Sequence, residues 1–125
     1  MEKGKEDIFK AMLDCAFEVH SNLGPGLLEN AYEECLMDEL TRTGLYVERQ
    51  KALPLVYKGI KLDIGYRIDL FVEDQFIIEI KSIEALTDIH LAQILTYLKV
   101  SECRLGLLVN FNVKYLKDGI KRVIL

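Results

Sequence analysis

Two apolar segments, residues 66–72 and 76–83, carry charged side chains at positions where a buried strand would have none. Asp69 interrupts the first segment, and Glu79 and Lys81 alternate with isoleucines in the second. A buried charge is unfavourable unless it is paired or bound to a metal. The short polar stretch between the segments predicts a turn. The chain must therefore form a hairpin that accommodates these charges.

The register of this hairpin decides whether the two acids meet. Side chains on a strand alternate between two faces, so a one-residue slip moves a whole strand to the other face. A two-residue loop would place Asp69 opposite Ile78. A three-residue loop, Glu73-Asp74-Gln75, places it opposite Glu79. The apolar pattern favours the three-residue loop, which puts the following residues on one face: Ile68, Leu70, Val72, Phe76, Ile78 and Ile80. Asp69, Glu79 and Lys81 then share the other face.

Such a charged group suggests a metal site. Carboxylates opposite each other on two strands have Cβ atoms about 4.5–5.5 Å apart, and they repel unless a cation lies between them or one is protonated. Oxygen ligands without clustered Cys or His favour Mg²⁺ or Mn²⁺ over zinc. A metal on Asp69 and Glu79 would polarise a phosphate and activate water, with Lys81 orienting that water or stabilising charge on the phosphate. The alternative is that Lys81 only forms a structural ion pair with one of the acids.

The rest of the pattern predicts an α/β (α+β mixed sheet) fold. Apolar residues at helical spacing predict two N-terminal helices joined by a Gly-Pro-Gly bend at residues 24–26. Glu33, Glu34 and Asp38 fall on the solvent face of the second helix. A third helix is predicted over residues 88–100, after the charged hairpin. Strands are predicted at residues 46–50, 53–58, 60–64, 66–72, 76–83, 104–110 and 120–125, with the first and last at sheet edges.

Length and composition indicate one globular domain spanning residues 1–125. Half of the residues are hydrophobic and 29% are charged, which excludes a disordered chain. The chain has no apolar run of about 18 residues and no secretory h-region, and its three cysteines show no paired spacing. These features favour a cytoplasmic protein. The net charge of −4 argues against strong nonspecific duplex binding, although residues 99–125 hold six basic and two acidic residues that can contact a phosphate backbone.

Three short motifs add a family resemblance. The spacing of Asp69 and residues 79–81, Glu-Ile-Lys, resembles the signature of the PD-(D/E)XK nuclease superfamily, although Ile68 occupies the position of the eponymous proline. Residues 26–32, Gly-Leu-Leu-Glu-Asn-Ala-Tyr, match the motif of the GxxExxY protein family, which is grouped with that fold. A Gln and a Tyr four residues apart on the third helix resemble the QxxxY element of its exonuclease-like branch. The resemblance covers roughly residues 8–110 and implies a restriction-endonuclease-like core.

This resemblance implies a nuclease that uses Mg²⁺ or Mn²⁺ to hydrolyse phosphodiester bonds. Asp69 and Glu79 would be the main metal ligands, and Lys81 would be the catalytic lysine. Glu29 would be the acidic residue of the N-terminal helical region that completes the metal site and supports catalysis. A carboxylate in the first turn of a helix is also favoured by the helix dipole, whatever its function.

The resemblance also implies neighbours and partners of the site. Gln93 and Tyr97 share a helix face and would lie beside the substrate, although Tyr97 could equally be a core ring. For His20 and His90, a structural role and a functional role are both open. The implied partner is nucleic acid, with DNA favoured over RNA, and a homodimer or a protein partner is compatible with the small size. The alternatives are a phosphoesterase for small nucleotides and a catalytically silent interaction module, which would use the acidic helical surface around Glu33.

Overall fold

A computed structural model describes residues 4–125 as three α-helices and seven strands in two sheets. The helices are α1 (Lys5–Leu23), α2 (Glu29–Arg42) and α3 (Asp88–Ser101). The strands are β1 (Val47–Ala52), β2 (Leu55–Tyr57), β3 (Ile60–Leu62), β4 (Arg67–Val72), β5 (Phe76–Lys81), β6 (Leu105–Asn110) and β7 (Ile120–Ile124). Every predicted helix and strand is present, although β2, β3 and β5 are shorter than predicted and β1 extends two residues further, to Ala52. Within residues 4–125, no helix is long and apolar enough to cross a membrane.

The larger sheet has five strands in the order β1-β4-β5-β6-β7. Its neighbours are antiparallel, except that β5 and β6 are parallel and are connected through α3. Strands β1 and β7 lie at the edges, as predicted. Helices α1 and α2 cover one face of the sheet and α3 covers the other. This arrangement confirms the predicted α/β (α+β mixed sheet) class.

Strand β5 is buried on both faces. On one face, Met12 of α1 and Leu36 of α2 pack in the same apolar cluster as Ile78. On the other face, Leu98 of α3 packs in a second cluster with Ile77. Consecutive strand residues point to opposite faces, so the side chains of β5 point alternately toward α1 and α2 and toward α3. Any charged side chain on this strand is therefore held in a region with little solvent.

The hairpin between β4 and β5 has the predicted three-residue loop. Val72 pairs with Phe76 across the loop, and this register leaves Asp69 opposite Glu79. Two of the three loop residues have a φ of 53°, as expected for a tight connection between antiparallel strands. The loop length therefore determines which side chains of the two strands meet.

The predicted position of Ile68 is wrong. The period-two pattern assigns Ile68 to the face of Leu70, but Ile68 packs with Phe71 in the cluster on the α3 side. The alternation breaks at Asp69, where the β1–β4 pairing skips one pair of residues. The skipped residue on β1, Gln50, has a φ of 54°. A local break in the pleat changes the face of the residues beyond it, and a regular hydrophobic pattern cannot reveal such a break.

Strands β2 and β3 form a separate two-stranded sheet. Tyr57 pairs with Ile60 across the two-residue loop Lys58-Gly59, at the predicted turn. Both loop residues have positive φ, 49° and 79°, which matches the twist of the flanking strands in a tight hairpin. A hairpin of two short strands is marginally stable alone, so this one depends on its connections to the larger sheet.

Candidate active site

Asp69 and Glu79 are each hydrogen-bonded to a backbone amide of the opposite strand. The Asp69 N–H donates to Glu79 Oε2 at 2.9 Å, and the Ile80 N–H donates to Asp69 Oδ2 at 2.8 Å. These bonds form just where the regular β4–β5 pairing ends. Each carboxylate thus takes the place of a backbone carbonyl as acceptor. The structure therefore brings the two acids together and fixes both side chains.

Burial makes this acidic pair electrostatically unfavourable. Burial raises the pKa of Glu79 to about 8, and the nearby charge of Asp69 contributes further to the rise. Burial also raises the pKa of Asp69 to about 6, against the opposing effect of the bond from the Ile80 N–H. Glu79 is only 4% exposed. Two acids in this environment resist carrying two negative charges unless a cation compensates them.

Lys81 lies at the end of β5, on the same strand as Glu79, and is half-buried. No ion pair joins it to a carboxylate anywhere in residues 4–125. The structural ion pair that would explain Lys81 without a function is therefore not formed. Burial and the backbone hydrogen bonds have larger effects on the pKa values of Asp69 and Glu79, but the charge of Lys81 lowers both values. The amine is close enough to influence the pair electrostatically without contacting it.

Gln50 is a residue of this site that the sequence pattern does not reveal. Its Nε2 donates to Asp69 Oδ1 at 3.1 Å and to Glu33 Oε1 at 2.6 Å. Its φ of 54° lies in the left-handed region, which is uncommon for residues other than glycine. Such strain persists only where the surroundings enforce it. Here the unusual backbone accompanies an amide that bridges two carboxylates.

Glu33 does not lie on the solvent face of α2, where the helical pattern places it. It is 6% exposed, and Arg49 Nε of β1 donates to its Oε2 at 2.6 Å. Arg49 Nη1 also donates to Glu34 Oε2 at 2.9 Å. A charge-assisted bond from a distant strand allows the carboxylate to be buried, and the spacing of apolar residues on a helix contains no sign of it. The acidic surface proposed for an interaction module is thus partly covered and neutralised.

Glu29 is the first residue of α2, and its side chain is exposed. Among residues 4–125, no three His, Cys, Asp or Glu side chains are grouped so that they could hold a metal ion. The structure therefore does not bring Glu29 to Asp69 and Glu79. The loop before Glu29 does reach the end of β5, because Ser82 Oγ donates to the Leu27 carbonyl at 2.5 Å. A role for Glu29 at the site stays a prediction.

Tyr32 fixes the bend that precedes Glu29. Its buried hydroxyl donates to the Gly24 carbonyl at 2.6 Å and accepts from the Leu27 N–H at 3.2 Å. Its ring stacks on Phe111, with centroids 4.5 Å apart and planes 6° apart. The last residue of the segment that resembles GxxExxY thus shapes the loop and positions the start of α2.

We expect Tyr32→Phe to lower the free energy of unfolding by about 1–3 kcal/mol, because the Gly24 carbonyl and the Leu27 amide lose a buried partner while the ring stack remains. Chemical denaturation measures this change. Tyr115→Phe is the matched control, since Tyr115 is exposed and its hydroxyl should matter by less than about 0.5 kcal/mol. Equal losses in the two variants would contradict the assigned role of Tyr32.

Gln93 and Tyr97 line a cleft of about 260 Å³ beside the acidic pair. Burial, followed by the charges of Glu79 and Asp69, raises the pKa of the Tyr97 hydroxyl to about 12. The hydroxyl therefore lies within electrostatic reach of both acids. Tyr66 lines the same cleft, and its ring meets that of Tyr97 edge-on with centroids 6.2 Å apart. Both residues of the QxxxY-like pair thus face one cleft next to the acids.

His20 and His90 make contacts that account for their positions without a ligand. His20 Nε2 hydrogen-bonds to the Val113 carbonyl at 2.7 Å, and its ring stacks on Phe111. His90 Nδ1 accepts from the Thr87 N–H at 2.9 Å, so it caps the start of α3. These contacts give both histidines a structural role.

The family comparison matches residues 6–123 to the PD-(D/E)XK nuclease superfamily. The chain therefore belongs to this superfamily, and its three helices and five-stranded mixed sheet are consistent with a restriction-endonuclease-like fold. We found no match to the chain among curated proteins or among solved structures. The resemblance is thus confirmed for the superfamily, while membership of the GxxExxY family stays a prediction. Superfamily membership suggests a nuclease-type function and nucleic-acid binding, in a group that generally uses divalent metals.

The acidic pair suits a divalent cation by its chemistry. Asp69 and Glu79 offer carboxylate oxygens, and no ion pair neutralises either acid in the part of the chain that the structure describes. Mg²⁺ is usually bound through about one or two carboxylates, with waters and substrate phosphates completing its coordination. Two fixed carboxylates are therefore a sufficient protein contribution for such a site.

Proposed function

We propose that the chain is a metal-dependent nuclease that hydrolyses phosphodiester bonds of nucleic acid, with DNA favoured over RNA. The observation that carries this proposal is the buried pair Asp69 and Glu79. Each side chain is fixed by a hydrogen bond from a backbone N–H of the opposite strand, and the pair resists a double negative charge. A pair held in this way gains most from binding a cation. Membership of the nuclease superfamily supports the same conclusion.

Asp69 and Glu79 would hold Mg²⁺ or Mn²⁺. The bound cation would polarise the scissile phosphate and lower the pKa of an attacking water. Lys81, near both acids but unpaired with any described carboxylate, would orient that water or stabilise negative charge that develops on the phosphate. Glu29 is not grouped with the pair among the described residues, and would support the site as a further acidic side chain at the start of α2.

Gln93 and Tyr97 would contact the substrate strand from the cleft beside the acids. Gln50 would act as a positioning residue, because it acts through Asp69. It ties Asp69 to Glu33, and Glu33 is itself fixed by an arginine of β1. Helix α2 and strand β1 would thus jointly hold one metal ligand on β4. Hydrogen bonds to metal ligands of this kind orient them and tune their basicity.

We expect Gln50→Leu to weaken Mn²⁺ binding and cleavage about 10- to 100-fold, since Asp69 loses the donor that orients it. The measurements are an Mn²⁺ titration followed by the melting temperature, and kcat with KM for a nucleic-acid substrate. We expect kcat to fall with little change in KM. Gln75→Leu in the β4–β5 loop is the matched control. Unchanged Mn²⁺ affinity in Gln50→Leu would remove Gln50 from the site.

The proposed function is tested by incubating the purified chain with single- and double-stranded DNA and RNA in Mg²⁺, in Mn²⁺ or in EDTA. We expect cleavage with either metal, none in EDTA, and faster cleavage of DNA than of RNA. Mn²⁺ should also raise the melting temperature of the protein. Stabilisation by Mn²⁺ without cleavage of any nucleic acid would favour the silent module, and the absence of both effects would overturn the metal site.

A further inference from the structure

The β2–β3 hairpin exposes an apolar face that continues into the cleft beside the acids. Tyr57 and Ile60, which pair across the turn, are 59% and 62% exposed. Leu55 and Leu62, both half-buried, pair two positions further along the strands. They lie on the same face as Tyr57 and Ile60, because directly opposite and alternate residues share a face. Leu55 also lines the cleft. Contiguous exposed apolar surface on a soluble domain commonly marks a binding site.

Positive charge accompanies this hairpin. Residues 53–67 contain Lys58, Lys61 and Arg67 but only one acid, Asp63, in a chain whose net charge is −4. Lys58 Nζ lies 5.5 Å from the centre of the Tyr57 ring. An exposed aromatic ring with a lysine beside it is complementary to a nucleotide, which combines a flat base with a phosphate.

The cleft at the base of the hairpin has the size and lining for one flat ring. Its volume of about 260 Å³ is below the roughly 300–1,000 Å³ of pockets that bind drug-sized ligands. Tyr66 and Tyr97 meet at an interplanar angle of 61° within it. The Tyr97 hydroxyl is influenced by Glu79 and Asp69, so a base in the cleft would place its phosphate near the acids.

We propose that this surface binds an unpaired strand of nucleic acid, with one base in the cleft against Tyr66 and Tyr97 and another on Tyr57. Lys58, beside the Tyr57 ring, contacts the backbone of that strand. The bases of an intact duplex stack on one another, so their faces are not available to protein side chains, whereas those of a single strand, flap or frayed end are. The inference rests on the proposed nuclease function, for which it defines the substrate class.

The test is binding without cleavage, by fluorescence anisotropy of a labelled oligothymidylate and of a duplex of equal length in EDTA. We expect the full chain to bind the single strand at least about tenfold more tightly than the duplex. Tyr57→Ala and Tyr66→Ala should each weaken oligothymidylate binding by about 5- to 100-fold, as expected for the loss of one stacked base. Tyr57→Phe should bind like the wild type. Since no hydrolysis is measured, this result is independent of the cleavage and Mn²⁺ tests.

Tyr115 provides a matched control outside the hairpin. It is 56% exposed and has Lys114 Nζ at 5.3 Å from its ring centre, so it resembles Tyr57 with Lys58. Equal affinity for duplex and single strand, or an equal loss in Tyr115→Ala and Tyr57→Ala, would overturn the proposal. Sedimentation gives a further outcome: a dimer that Tyr57→Ala dissociates would assign the hairpin face to a second copy of the chain and also overturn it. Because Tyr57 is exposed, its variant is expected to fold normally.

Discussion

Lys81→Met is expected to lower the rate of nucleic-acid cleavage by about 10²–10⁴-fold, the range for loss of a group that moves a proton or stabilises transition-state charge. Methionine keeps most of the apolar stem but removes the amine. Mn²⁺ binding should survive, because removing a nearby positive charge does not weaken the attraction of Asp69 and Glu79 for a cation. The measurements are single-turnover cleavage and the Mn²⁺-induced shift in melting temperature.

Lys5→Met is the matched control for this experiment. Lys5 is exposed and lines a surface depression with Phe76, so it lies toward the start of β5, whereas Lys81 is at its end. The control should cleave at the wild-type rate. Cleavage by Lys81→Met within about threefold of the wild type, well below the expected range, would show that the amine is not part of the chemistry. Loss of the Mn²⁺ response together with cleavage would instead make Lys81 a support of the metal site.

Much of the central hairpin is predictable because its two determinants are local. The number of polar residues between the strands sets the register, and the paired Val72 and Phe76 agree with the three-residue loop. The same register puts Asp69 opposite Glu79. Strand β6 is likewise evident from a nearly continuous apolar run, which is typical of a strand covered on both faces.

The residues around the acidic pair are less predictable because long-range hydrogen bonds determine their positions. Glu33 looks like a solvent-facing helix residue until Arg49 reaches it from β1. Gln50 looks like an ordinary edge-strand residue, and only its contacts with two carboxylates reveal its role. Ile68 changes face because the pleat breaks beside Asp69. None of these effects leaves a periodic signal in the sequence.

The position of the β2–β3 hairpin is also not encoded in local pattern. Its alternating apolar residues are compatible with any half-buried sheet. No local feature indicates that the hairpin is separate from the larger sheet or that it lines a cleft with α3. Because β1 pairs with β4 directly, the intervening strands β2 and β3 are not inserted between them and pair only with each other. Topology, rather than propensity, therefore exposes Tyr57.

The metal-free protein should lose stability as the pH rises from about 5 to 8. The pKa of Asp69 is raised from 3.8 to about 6 and that of Glu79 from 4.5 to about 8. Over this range the folded state binds more protons than the unfolded state, so these two groups decrease the free energy of unfolding with increasing pH. A cation that replaces those protons should bind more tightly at pH 8 than at pH 5.5. The Mn²⁺-induced shift in melting temperature should grow accordingly.

Glu79→Gln separates this electrostatic cost from the packing of the side chain. The amide oxygen can still accept the bond from the Asp69 N–H, while the charge that Asp69 opposes is gone. We expect the metal-free variant to be more stable than the wild type at pH 8 by about 1–2 kcal/mol, or roughly 3–6 °C. At pH 5 the two should melt alike, because wild-type Glu79, with a pKa of about 8, is already protonated. Cleavage and the Mn²⁺ response should both be lost.

Glu39→Gln makes the same change of charge on α2, in the groove lined by Glu18 and Asn22 of α1, and should leave melting and Mn²⁺ response as in the wild type. A Glu79→Gln protein that is less stable than the wild type at pH 8 would mean that the carboxylate has a purely structural value. That outcome would contradict a site in which holding two acids together lowers the free energy of unfolding. Greater stability with loss of metal binding is the combination that a structural ion network does not produce, since such a network weakens when one of its charges is removed.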